Sequence, residues 1–149
     1  MRDTVDPDFA SFVDARQGRW LRTTYLVYGD LQRAEQVLLR AFTRLSMRWT
    51  KVDDPDVFVQ RLLYQPALRP WNRDKPFQGE EDAVKVALGE LTPAQRAVFV
   101  LLHLEELTEF EISDLLGMSQ PAVHTHGMTA FSRFRTALGA GTGGMPHEA

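Results

Sequence analysis

Cysteine is absent from this chain of 149 residues. That excludes disulfides and thiol catalysis, and it agrees with an expected cytoplasmic location. Long hydrophobic runs are also missing. No apolar stretch approaches the roughly 20 residues needed to span a bilayer, and the opening MRDTVDPDF has no signal-peptide pattern, so no membrane association is expected. Histidine is sparse, with four in all, and the closest two, His124 and His126, are two positions apart. On a helix such neighbours point about 200° apart, so they are not expected to share a metal. The chain has no phosphate loop and no nucleophile–base arrangement. Neither an enzyme nor a cofactor is expected.

Positive charge is scarce in one half. Residues 76–149 hold four Lys and Arg against ten Asp and Glu, a net of −6; residues 1–75 hold thirteen against ten, a net of +3. What the chain does have is apolar content, 44% by residue, enough for one folded domain or two small ones.

Apolar residues recur at helical spacing nearly throughout, which predicts an all-α fold. Phe9, Phe12, Val13, Trp20, Leu21, Tyr25 and Leu26 mark a first helix from Asp8 to Tyr28, weakened or bent at Gly18 by about 1 kcal/mol relative to Ala. Gly29 turns the chain and Asp30 caps a second helix to about Trp49, with Ala34, Val37, Leu38, Ala41, Phe42 and Leu45 as its buried stripe. Asp54 and Pro55 start a third. Pro66 and Pro70 each disfavour a continuous helix by roughly 3 kcal/mol, so this helix is expected to end near Tyr64. Residues 74–82 (DKPFQGEED) read as a linker, and a short helix follows from Ala83 to Glu90.

The stretch LTPAQRAVFVLLHLEELTEFEISDLLGMSQPAVHTH is the most specific signal. Thr92 with Gln95 and Thr108 with Glu111 are two capping boxes sixteen residues apart, the first with Pro93 at N1. Leu107 and Ile112 are placed for a hydrophobic staple. Gly117 stops the helix that begins at Glu109, and Ser119 caps the next, running to about Leu138 with Gly127 inside it. A short helix, a Gly-bearing turn and a longer helix make a helix-turn-helix, whose second helix commonly enters the DNA major groove. Phe99, Phe110, Phe131 and Phe134 are expected in the core, and Glu105, Glu106, Glu109 and Asp114 on a solvated face. The Gly-rich tail 139–149 is expected to be disordered.

This stretch resembles region 4 of bacterial sigma-70-family factors of the extracytoplasmic-function group. Leu91, Pro93, Gln95, Arg96, Val98, Leu107, Thr108, Glu111, Ile112, Leu115, Leu116, Gly117, Ser119, Val123, Ala130 and Arg135 agree with that pattern. The resemblance implies recognition of a −35 promoter element through Ser119, Gln120, Ala122, Val123, His124, His126 and Arg133. His124, His126 and Thr129 stand where Lys, Arg and Arg are usual. Because counterion release from phosphates supplies much of DNA affinity, those departures and the acidic balance weigh against tight DNA binding.

The first half resembles region 2 of the same family. TTYLVYGDLQRAEQVLLRAFTRLSMRW and DPDVFVQRLLYQPALRPWNR carry the matches Gly29, Asp30, Ala34, Glu35, Phe42, Arg44, Leu45, Trp49, Asp54, Pro55, Val59, Arg61, Leu63, Ala67 and Trp71. The resemblance implies two small helical domains, residues 8–73 and 83–138. It also implies core RNA polymerase and promoter DNA as partners. Docking on polymerase would fall to Glu35, Gln36, Leu39, Arg40 and Arg44, and −10 DNA to Arg61, Arg69, Trp71 and Arg73. Gln36, Leu39 and Arg40 replace the usual Asp, Gln and Glu, and Arg40 reverses a charge, which at a docking surface can cost several kcal/mol. Two functions are compatible with these residues. One is a sigma-factor-like regulator that binds polymerase and promoter. The other is a sigma-derived module that has lost promoter recognition and acts through protein contacts with an anti-sigma protein or another regulator.

Overall fold

In the computed structural model the described residues are 5–70, 77 and 82–142, of which 141–142 are described by their backbone alone. Among them seven α-helices follow in order: α1 Pro7–Tyr28, α2 Leu31–Arg48, α3 Pro55–Tyr64, α4 Ala83–Gly89, α5 Pro93–His103, α6 Glu109–Leu116 and α7 Gln120–Thr142. Short 3-10 turns follow α2 (Trp49–Lys51) and α3 (Gln65–Leu68), and no strand occurs among the described residues. The expected linker falls almost wholly outside these residues, as do Trp71, Arg73 and the tail beyond Thr142.

The helix boundaries follow the chemistry of their ends. The Asp6, Asp30, Asp54 and Asp82 carboxylates each accept from backbone N–H groups of the helix they start, which satisfies donors left open by helix geometry. Both capping boxes form, with Thr92 and Gln95 exchanging bonds of 3.1 Å and Thr108 and Glu111 bonds of 2.8 and 3.0 Å. The chain passes Gly18 without breaking α1, and α3 ends at Tyr64, where Pro66 tightens the continuation into a 3-10 turn. At the end of α5, Glu106 adopts φ 56° while Leu107 N–H reaches back to the Leu101 carbonyl at 2.9 Å, a closure one residue wider than the Schellman motif, with Glu in the left-handed conformation that favours Gly. The sequence places the end of the recognition helix near Leu138; in the structure it continues through Gly139 to Thr142.

One core holds residues from both halves of the chain. Trp20, Val27, Leu45, Val59, Leu63 and Tyr64 pack with Val98, Leu101, Ile112 and Val123 in a single buried cluster. α1 lies on both α2 and α5, α3 on α2 and α6, and α7 on α4, α5 and α6. Gly29 (φ 73°) permits the closest approach: a Cβ there would sit 2.7 Å from the backbone of Phe77. The Phe77 ring in turn lies 5.6 Å from that of Tyr25.

Arg96 joins the halves. It is 1% exposed. Its Nε donates to Val27 O at 2.6 Å, and its Nη1 to Leu91 O at 2.7 Å and Leu88 O at 3.3 Å. Val27 and Leu88 belong to the last turns of α1 and α4, where carbonyls lack intrahelical partners and the helix dipole is negative. The guanidinium therefore caps two helices at once, with the Phe77 ring centroid 5.4 Å away. Burial pulls its pKa down to about 10, so it remains charged at neutral pH. Arg96→Ala removes the side-chain donor to the Val27 and Leu91 carbonyls, Leu88 O keeping the Leu91 N–H at 3.1 Å, and is expected to cost about 3 kcal/mol or more, read as a lower urea midpoint by circular dichroism. Arg96→Lys should recover only part, because an ammonium lacks the planar fork.

Two tyrosines also bridge elements. Tyr28 Oη donates to Leu63 O at 2.7 Å, and Tyr64 Oη to Glu105 Oε2 at 3.2 Å. Burial pushes both phenols above their ordinary value, and for Tyr64 the Glu105 charge adds to the effect. The unfolded chain releases these protons near pH 10; the folded chain holds them. Their contribution to stability is thus complete below about pH 10 and is lost as pH rises through the folded values. Arg96 acts oppositely above about pH 10, offsetting one of the two. An alkaline titration should show phenolate absorbance from Tyr28 and Tyr64 only as helical ellipticity is lost.

Candidate nucleic-acid interface

The helix-turn-helix is locally well determined. α6 ends at Gly117, which takes φ 71°. Ser113 Oγ donates to Met118 O at 2.6 Å across the turn. Ala122 N–H donates to Ser119 Oγ at 3.2 Å, starting α7. On the far side, Gly127 lets α7 approach α5, where an added Cβ would meet Leu102 Cδ1 at 3.0 Å.

The sequence candidates on this unit separate by place. Ser119, Gln120 and His124 are exposed at the beginning of α7, while Ala122 and His126 are half-buried. Val123 is fully buried in the core cluster. It cannot present an edge to a base, and this corrects its assignment as a reading residue: it packs the unit together. Arg133 is exposed but lies about 20 Å along the helix from Gln120, at about 1.5 Å per residue. There it lines a cavity of about 610 Å³ with Val86, Glu90, Ser132, Thr136, Ala137 and Ala140. It does not join the other candidates.

The acidic residues of this half are not simply a solvated face. His124 Nδ1 donates to Glu109 Oε2 at 2.8 Å, so the residue at a position usual for Lys is already held by a carboxylate. The Glu105 side chain is 4% exposed and lies between Tyr64 Oη and the Arg19 guanidinium, 3.5 Å away. Asp114 accepts from Arg61 Nη2 at 3.2 Å. Alternation of charge gives no hint of these partners, because they come from elements far apart in sequence. The aromatic expectation is also corrected. Phe110 is 66% exposed and Phe131 47% exposed, while Phe99 and Phe134 are half-buried with their ring centroids 4.7 Å apart at a tilt of 38°. Helical spacing identifies a shared face; whether another element covers that face depends on packing.

In the first half, Arg61 is engaged with α6 as described, and the neighbouring Gln65 Nε2 donates to Leu115 O at 2.9 Å. The surface expected to face −10 DNA is thus turned in part toward the helix-turn-helix. Arg69 is exposed and lies instead beside α2. Trp71 and Arg73 lie outside the described residues. The five docking candidates Glu35, Gln36, Leu39, Arg40 and Arg44 are all exposed on α2. By helical spacing Glu35 lies away from Arg40 and Arg44, which share one stripe with Arg33.

The combined substitution His124→Lys, His126→Arg and Thr129→Arg is expected to raise affinity for duplex DNA. It should steepen the log–log salt dependence by up to about 0.9 for each additional phosphate neutralised, measured by fluorescence anisotropy across a salt series.

Comparison with known proteins agrees with this architecture. Residues 81–133 match the family model described as Sigma-70, region 4. The RNA polymerase sigma-E factor of Streptomyces coelicolor is 27% identical, with 88% of this chain and 86% of the relative aligned. The sigma-E factor of Streptomyces antibioticus is 28% identical, with 88% and 84% aligned. That of Streptomyces avermitilis is 26% identical, with 88% and 85% aligned. Taken with the all-α core and the doubly capped helix-turn-helix, these matches make the chain similar to sigma-70-family factors, through the region 4 model over residues 81–133 and through the sigma-E factors over most of its length.

Proposed function

We propose that this protein is a cytoplasmic, sigma-factor-like transcription regulator that engages core RNA polymerase through α2 and promoter DNA through its helix-turn-helix. The two halves, residues 8–73 and 83–138, serve as its region 2-like and region 4-like units. The observation that carries this reading is the intact recognition unit. α6 and its turn are fully capped, and Ser119, Gln120 and His124 stand exposed at the beginning of α7, the part of a recognition helix that meets base edges.

A second reading has its own support. The halves share one core and are tied by Arg96–Val27, Tyr64–Glu105, Arg61–Asp114 and Gln65–Leu115. A single body of 149 residues has a radius of gyration of about 15 Å and is about 40 Å across. Elements at −10 and −35 lie about 25 base pairs apart, roughly 85 Å at about 3.4 Å per pair. The closed body reaches one element at a time, and reading both requires the halves to part. A protein that stays closed would act through protein contacts, with an anti-sigma protein or another regulator as partner, and not as a two-site promoter reader.

Capture of core RNA polymerase by the purified protein, with promoter DNA tested separately by gel shift at low salt, distinguishes these. Core capture together with promoter-specific retention is expected of the sigma-like regulator. A folded helical protein that fails both tests supports the protein-contact role.

A further inference from the structure

Three arginines of the first half have an acidic partner. Arg16 pairs with Asp56, Arg19 with Glu105 and Arg61 with Asp114. Arg33, Arg40 and Arg44 differ. They form one stripe on α2, at i, i+7 and i+11, and none of them joins an ion pair among the described residues. Together with Arg69 they line a groove of about 350 Å³ between α2 and the end of α3, floored by Val37, Ala41, Leu62 and Pro66. Among the described residues no acidic side chain lines it. Arg33 is steadied by the Tyr28 ring, whose centroid lies 5.5 Å from its guanidinium carbon.

This arrangement works against the helix that carries it. Arg40 and Arg44 repel at i, i+4, and Arg33 lies in the first turn, at the positive end of the helix dipole. An anion in the groove relieves both penalties. Planar guanidinium forks bind phosphate oxygens bidentately, and the volume falls at the small end of ligand sites. Single-stranded nucleic acid fits less well. It asks for an extended cationic track with aromatic faces for bases, whereas these cations converge on one concavity that no aromatic side chain lines among the described residues.

We propose that the α2–α3 groove binds the di- or triphosphate group of a small ligand, held by Arg33, Arg40, Arg44 and Arg69. This does not depend on promoter or polymerase binding. If α2 also docks on polymerase, an occupied groove makes the Arg40–Arg44 surface less positive and tunes that contact.

The test is isothermal titration of the full chain with inorganic tripolyphosphate at constant ionic strength, with sulfate as the comparison anion. Saturable one-site binding is expected. Arg40→Gln/Arg44→Gln should weaken it about tenfold or more, as loss of two charged forks predicts, while Arg133→Gln/Arg135→Gln should leave it within about twofold. Both groove residues are exposed; should the double variant fail to fold, Arg40→Gln alone serves. The proposal is overturned by absence of saturable binding, or by equal weakening in the Arg133/Arg135 variant. It is equally overturned if a mixed-sequence DNA single strand binds the same groove more tightly than tripolyphosphate and is not displaced by it.

Discussion

The buried guanidinium of Arg96 is the interaction on which the rest of this structure depends. It carries a positive charge into the core with no carboxylate partner among the described residues; its Nε and Nη1 donate to the backbone carbonyls of Val27, Leu88 and Leu91, while the buried Nη2 has no hydrogen-bond partner among them. Two of those carbonyls close helices, α1 from the first half and α4 from the second. Leaving more of a buried charge's donors unmet is costly. That requirement sets where α5 lies against α1 and where α4 turns into α5, and Phe77 packs over the same point.

That joint has a functional consequence. Bringing α1 onto α5 also brings the end of α3 onto α6. Arg61, Tyr64 and Gln65, from the segment that the family resemblance assigns to −10 DNA, then meet Asp114, Glu105 and Leu115, from the half that the same resemblance assigns to −35 DNA. The acidic balance of the second half, unfavourable for phosphate contact, here supplies partners for the basic first half. The exposed Arg61–Asp114 pair contributes little to stability on its own. The buried Glu105, held between a phenol and a guanidinium, is the more binding constraint. Opening the body must release both.

α2 shows the opposite management of charge. Its stripe of Arg33, Arg40 and Arg44 has no acidic counterpart from any neighbouring element among the described residues, although the same half pairs Arg16, Arg19 and Arg61. The surface that family resemblance assigns to polymerase docking is therefore cationic and concave. It is suited to an anion, and its electrostatics depend on whether one is bound.

Much of the local structure was legible in the residues. Asp30, Asp54, the two Thr capping boxes, Gly29 and Gly117 place helix ends because they satisfy or relieve specific backbone groups, and such effects act within a few positions of the chain. The order of helices followed from the same signals, and the resemblance to sigma factors from the residues between them. Burial was less legible: Val123 lies in the core and Phe110 in solvent, although periodicity treats the two alike. Charge pairing was not legible at all. Glu109 with His124 spans fifteen positions, Arg61 with Asp114 fifty-three, and Arg96 with Val27 sixty-nine. The sequence by itself determined which segments are helices and where they stop, since those are short-range matters. Only the tertiary structure decided which charges are neutralised, which of the α2 arginines face a groove that no carboxylate lines among the described residues, and that two halves form one body, because each depends on contacts made after the chain has closed on itself.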